Sequence, residues 1–107
     1  MAVHGLGGDA HRTWTHENSK LWLQDFLPLE IPEARILTYG YKSVVAFSKF
    51  TAEVDDFARD LLFRVRSVRN TPEERDRPIF FICHSLGGLV LKQVCLQWIL
   101  CRHTLTT

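Results

Sequence analysis

Ile79 to Leu91 reads I-F-F-I-C-H-S-L-G-G-L-V-L, an apolar run broken abruptly at His84-Ser85-Leu86-Gly87-Gly88 and then resumed. A short apolar run ended by a turn signal reads as a buried strand, and the longer apolar stretch after it reads as a helix. Joining the two through so short a turn forces Ser85 into a bend too sharp for ordinary residues, the arrangement of a nucleophile elbow. The following helix then aims its N-terminus at whatever chemistry Ser85 performs. Small residues are needed where such a turn packs strand against helix, and Gly87 and Gly88 supply them on the C-terminal side. Two positions before the serine, where G-x-S-x-G has glycine, stands Cys83, small and apolar enough to fit beneath the turn. The pattern is C-x-S-x-G, a variant of the motif.

A chain of 107 residues holds one domain at most, here residues 1–107, and is small for a serine hydrolase. Its 46% hydrophobic and 23% charged residues are those of an ordinary globular domain. A net charge of +1 leaves no electrostatic footprint for nucleic acid. The apolar stretch of the final helix is interrupted by Lys92, Gln93, Gln97 and Arg102, which makes it a poor membrane span. No secretory signal appears at Met1, and the cytoplasm is the expected location. Cys83, Cys95 and Cys101 are odd in number and sit in apolar surroundings, the pattern of buried free thiols in a reducing compartment.

Met1-Ala2-Val3 is the stub of a strand and runs into the glycine loop His4-Gly5-Leu6-Gly7-Gly8. Leu21, Trp22, Leu23, Phe26 and Leu27 predict a short amphipathic helix stopped by Pro28, and Ala34 to Tyr39 a second strand closed by Gly40. From Thr51 to Arg69, Val54, Phe57, Ala58, Leu61, Leu62, Val65 and Val68 recur at helical steps. Thr71-Pro72-Glu73-Glu74 is a capping-box pattern for one short helical turn. Ile79 to Cys83 is the third strand, and Leu86 to Cys101 the last helix, apolar on most sides. Strands alternating with helices predict an α/β domain with a parallel sheet of about three strands, flanked by helices in three layers. The loops after the strands then share the carboxyl edge of the sheet, so Gly5 and Ser85 arrive on one rim.

An acyl-transfer serine needs a base, an orienting acid and donors for the oxyanion. Ser85 is the candidate nucleophile, and the backbone N–H of Leu86 the expected first oxyanion donor. The second is expected from the Gly5 loop, with the N–H of Leu6 as donor. His4, Gly5, Gly7, His84, Gly87 and Gly88 are the supporting residues of loop and elbow. His4, His11 and His16 lack the spacing of a metal site, and Gly5 to Gly8 matches no phosphate-loop pattern, so neither metal nor cofactor is expected. Glu53, Asp55, Asp56 and Asp60 read as the solvated face of a helix.

These segments together resemble the alpha/beta-hydrolase superfamily. More narrowly, V-H-G-L-G-G (Val3 to Gly8), R-T-W-T-H (Arg12 to His16), W-L-Q-D-F-L-P (Trp22 to Pro28), A-R-I-L-T-Y-G-Y (Ala34 to Tyr41) and H-S-L-G-G-L-V-L-K-Q (His84 to Gln93) are similar to lipase-like serine hydrolases. The group in question is related to the "serine active site containing" proteins and to the hydrolase domains at the front of fungal STAND/NLR-type receptors. The resemblance implies a partial alpha/beta-hydrolase fold, Ser85 as nucleophile, the Gly5-Leu6 turn as oxyanion loop, and an ester or lipid as substrate. It also implies peripheral membrane association, at mitochondria or endoplasmic reticulum as the alternative to the cytoplasm, and fusion to downstream signalling or repeat domains. The departure lies after Ser85: the family's acid and histidine should follow, but no Asp or Glu does, and His103 lies about 18 residues on, on the order of 27 Å along a helix. Residues 1–107 are therefore expected to be inactive by themselves, the parent protein being the serine esterase. The alternative is a truncated or degenerate hydrolase domain that serves as a non-catalytic signalling or interaction module.

Overall fold

The computed structural model describes residues 1–43 and 50–106, with the backbone alone for 101–106. Three parallel strands form one sheet in the order β2-β1-β3: β1 (Ala2–Val3) is central, with β2 (Thr38–Tyr39) and β3 (Ile82–Cys83) at its sides. Ala2 N–H donates to Leu37 O at 2.8 Å on one side, while Ile82 N–H and His84 N–H donate to Met1 O and Val3 O at 2.9 and 3.0 Å on the other.

Successive side chains of a strand point to opposite faces, and β1 shows the consequence in two residues. Val3 enters a core with Tyr39, with Val54, Ala58 and Leu61 of α3 (Phe50–Ser67), and with Leu86, Val90 and Val94 of the last helix. Ala2 faces the other way, onto Trp14 of a 3-10 turn (Arg12–Trp14) and Leu23 of α1 (Trp22–Asp25). The sheet is thus covered on both faces, a three-layer α/β/α arrangement. α3 buries the stripe that its three- and four-residue spacing predicts, whereas the last helix, apolar on most sides, is covered on one side only: it buries Leu86, Val90 and Val94 and leaves Leu89, Leu96, Ile99 and Leu100 exposed. Full burial of Ala58 and Val90 at their shared seam leaves little room for larger side chains.

Three local details differ from the sequence expectation. Pro28 does not end a helix; α1 stops at Asp25, and Pro28 lies in the first turn of a separate short helix, α2 (Leu27–Glu30). Proline suits that position because first-turn N–H groups have no helical acceptor. Only Thr38–Tyr39 and Ile82–Cys83 of the expected longer strands pair, since β1 offers no more than Ala2–Val3 to pair with. The last helix, α5 (Leu86–Thr106), runs beyond Cys101.

The Thr71 capping box is present: Glu74 N–H donates to Thr71 Oγ1 at 3.1 Å, Thr71 N–H donates back to Glu74 Oε2 at 3.3 Å, and α4 (Pro72–Asp76) follows. Thr71→Ala should cost about 1 kcal/mol, read as a lower denaturant midpoint at unchanged slope. Asn70 N–H also donates to Glu74 Oε2, at 2.6 Å, so part of the cap survives and the loss should fall at the lower end of that range. Among the described residues no helix is long and apolar enough to cross a membrane.

Candidate functional site

The connection leaving β1 packs on the Ala2 face, whereas α5, which leaves β3, packs on the Val3 face. Two adjacent parallel strands whose following helices diverge to opposite faces leave a crevice at their carboxyl ends, where ligands bind in open α/β sheets. His4 to Gly8 follows β1, and His84-Ser85 follows β3. The crevice therefore brings together the two glycine-bearing segments, although they are more than 70 residues apart.

Ser85 joins β3 to α5 with φ of 53°, in the left-handed region that non-glycine residues rarely adopt. His84 O accepts from Gly87 N–H and Ser85 O from Gly88 N–H, both at 3.0 Å, which closes the turn. The Ser85 side chain is exposed at the apex, and a residue held at such φ against its preference is a frequent mark of a functional site. Beneath it Cys83 is half-buried against the core and stays a free thiol, and burial pushes its pKa up. The expectation of a small apolar residue under the elbow holds there. Cys95, in contrast, is exposed, because its position on α5 faces away from α3; the Cys101 and His103 side chains lie outside the described residues.

Glycine is required in the elbow at one of its two positions. A Cβ on Gly87 would overlap Val3 O and lie 2.7 Å from His4 O, whereas a Cβ on Gly88 would meet nothing within 4 Å. Gly87 lets α5 rest on the backbone of β1. Gly88 does not serve the close packing expected of it.

The loop after β1 is as closely fitted. A Cβ on Gly5 would lie 2.8 Å from Ser85 Cβ and 2.7 Å from His84 O, so the Gly5 backbone lies directly against the serine. Gly8 N–H donates to Gly5 O at 3.0 Å, and Gly7, at the third position of this turn, has φ of 69°, as a type II turn demands. Leu6, the second residue of the turn, is 61% exposed. Among the described residues neither the Leu6 N–H nor the Leu86 N–H donates to an internal acceptor. The first N–H groups of a helix carry partial positive charge, so Leu86 adds the end of the α5 dipole to this crevice.

His4 is fully buried, and both ring nitrogens are engaged: Nε2 accepts from Tyr41 N–H at 3.3 Å, and Nδ1 donates to Gly5 O at 3.0 Å. It is a structural part of the loop. His84 is exposed with its ring beside Gly5. Ser85 Oγ hydrogen-bonds to no group among the described residues. His4, His11 and His16 do not gather into a three-ligand cluster there.

Two polar networks were not legible in the chain. Tyr39 OH donates to Asp60 Oδ2 at 2.5 Å, and burial, then Asp60 itself, pushes its phenol pKa far up. Asp55 Oδ1 accepts from the side-chain amides of Gln93 and Gln97, each at 2.9 Å, which pins α5 to α3 and holds the Asp55 carboxyl below its usual range. Asp55 and Asp60 are thus bonded across elements, a correction to the reading of their helix face as simply solvated. The only sequence signal for the Asp55 clamp is the four-residue spacing of Gln93 and Gln97, which puts both on one side of α5.

The fold and site together define an α/β domain with a serine at a strained strand-to-helix turn beside a glycine loop. Among curated proteins the chain is similar to Protein SERAC1 of Homo sapiens, 27% identical over 117 residues that cover 91% of this chain and 17% of the relative. Protein SERAC1 of Danio rerio is 25% identical over 116 residues, covering 91% and 18%, and that of Mus musculus 25% over 116 residues, covering 91% and 17%. The chain spans less than a fifth of the length of these relatives. No family model and no solved structure matches it.

Proposed function

We propose that this chain carries the nucleophile and oxyanion loop of an alpha/beta-hydrolase-type serine esterase acting on carboxylic esters, with lipids as the favoured class. The observation that carries the reading is Ser85 at φ of 53° between β3 and α5 with the Gly5 backbone packed against its Cβ. In this reading Ser85 Oγ adds to the ester carbonyl carbon, and its proton passes to a base. The N–H groups of Leu6 and Leu86 stabilise the developing oxyanion, one such donor being worth roughly 3 kcal/mol. The ester C–O bond then breaks as the alcohol takes up the proton, and water releases the acyl group from Ser85. Leu6, exposed in the glycine loop itself, gives the rim an apolar side chain suited to an acyl chain. The lipid preference otherwise rests on the motif resemblance.

Among the described residues no base reaches Ser85: both His4 nitrogens are occupied, and Ser85 Oγ has no hydrogen-bond partner there. Residues 1–107 alone should therefore turn over p-nitrophenyl esters negligibly, because an unactivated serine is a weak nucleophile. A fluorophosphonate probe should label the native protein at Ser85, and Ser85→Ala should abolish that labelling without loss of folded protein. Labelling that survives the substitution sinks the assignment. A folded native protein that takes no label favours the non-catalytic module instead.

A further inference from the structure

The two peptide groups that flank Gly5 are both held, and on each side one of the holds traces to Tyr41. On the N-terminal side, His4 C=O accepts from Tyr41 OH at 2.6 Å. On the C-terminal side, Gly5 C=O accepts from His4 Nδ1 at 3.0 Å and from Gly8 N–H at 3.0 Å. Tyr41 N–H donates to His4 Nε2 at 3.3 Å, which requires Nε2 to be unprotonated and so leaves the ring proton on Nδ1 to donate. The Tyr41 ring also stacks on the imidazole, centroids 4.2 Å apart and planes 13° from parallel, and is backed by Phe57 of α3 at 4.8 Å and Tyr39 at 5.2 Å. A trans peptide sets its C=O and N–H in opposite directions. With Gly5 C=O turned toward the His4 ring, the Leu6 N–H must point the other way, out of the turn.

We propose that Tyr41 is a positioning residue for the oxyanion loop, fixing through His4 the Gly5-Leu6 peptide with its N–H presented at the Ser85 crevice. This rests on the esterase reading of that crevice. Such a hold matters because an oxyanion donor is effective only when aimed before reaction, without reorganisation. Burial pushes the Tyr41 phenol pKa up to about 12, so the hydroxyl keeps its proton for His4 C=O throughout the neutral range. Tyr39 and Tyr41, two residues apart, put both rings in one stack, and only that spacing hints at the role in the sequence.

The native protein with Tyr41→Phe, Tyr41→Leu, His4→Asn and His4→Leu separates this role from packing. Tyr41→Phe keeps the ring and loses one hydrogen bond, so the fluorophosphonate labelling rate at saturating probe should fall about fivefold, with half-saturating concentration and melting temperature little changed. Tyr41→Leu should approach the on-the-order-of-100-fold loss of one oxyanion donor. His4→Asn, which keeps a donor near the Nδ1 position, should retain more rate than His4→Leu. Amide hydrogen exchange over residues 5–8 should quicken in both Tyr41 variants. A saturated labelling rate unchanged in both, or one that falls only in step with the folded fraction, overturns the proposal. If the wild type takes no label at Ser85, the esterase reading fails and exchange alone decides: unchanged exchange removes Tyr41 from the loop, and quickened exchange keeps it there.

Discussion

Gly87→Ala should destabilise the protein by about 1–3 kcal/mol, as forced overpacking of a fitted site does. Gly88→Ala, one residue on in the same helix, should be neutral or stabilising by up to about 1 kcal/mol, the helix-propensity gain of alanine over glycine. The contrast follows from what each new methyl group would meet. At Gly87 it meets the β1 backbone, Val3 O and His4 O, and neither can retreat: Val3 O accepts from His84 N–H at 3.0 Å and His4 O from Tyr41 OH at 2.6 Å. Relief would require α5 to lift off the sheet, opening the packing of Leu86 and Val90 on Val3. At Gly88 the methyl group meets open space. Thermal or denaturant unfolding of the two variants side by side checks this. Equal effects of either sign would mean that α5 does not rest on β1 as described.

On the proposed esterase reading, Gly5→Ala should lower fluorophosphonate labelling of Ser85 by on the order of 100-fold per folded molecule, the scale of losing one oxyanion donor. Its methyl group would lie 2.7 Å from His84 O, 2.8 Å from Ser85 Cβ and 3.1 Å from His84 Nδ1. The imidazole can swing aside, but the carbonyl and the serine Cβ belong to a closed turn that cannot move without changing the angle at which Oγ is offered. The glycine loop would have to draw back instead, taking the Leu6 N–H with it. Leu6→Ala is the matched control: its side chain is exposed, and the proposed contribution is its backbone, so labelling should stay near wild type. A Leu6→Ala protein that folds normally but takes no label would contradict the assignment of that N–H. Rates should be referred to the folded fraction, since Gly5→Ala is also expected to cost some stability by the same crowding.

Several features were legible in the chain because they depend on near neighbours alone. The stripe of Val54, Ala58 and Leu61 follows from helical periodicity, the Thr71 cap from one turn of backbone geometry, and the Ser85 bend from an apolar run meeting Leu86-Gly87-Gly88. The parallel sheet with helices on both faces follows from the alternation of such elements. Tertiary structure decided what depends on partners distant in sequence. Strand lengths were overestimated because a ladder extends only as far as the strand beside it, and β1 pairs only through Ala2 and Val3. Gly87 and Gly88 are identical as letters and differ in need, because only the placement of α5 against β1 determines which of them faces backbone. Asp55 became a clamp instead of a solvated charge because α5 brings Gln93 and Gln97 to it across some 40 residues of chain. The sequence alone singled out Ser85 and the glycine loop as candidates, since a sharp turn has its own residue chemistry. That Gly5 lies against that serine, with Tyr41 holding it through His4, was decided by the order of strands in the sheet and the packing of aromatic rings, which no local pattern encodes.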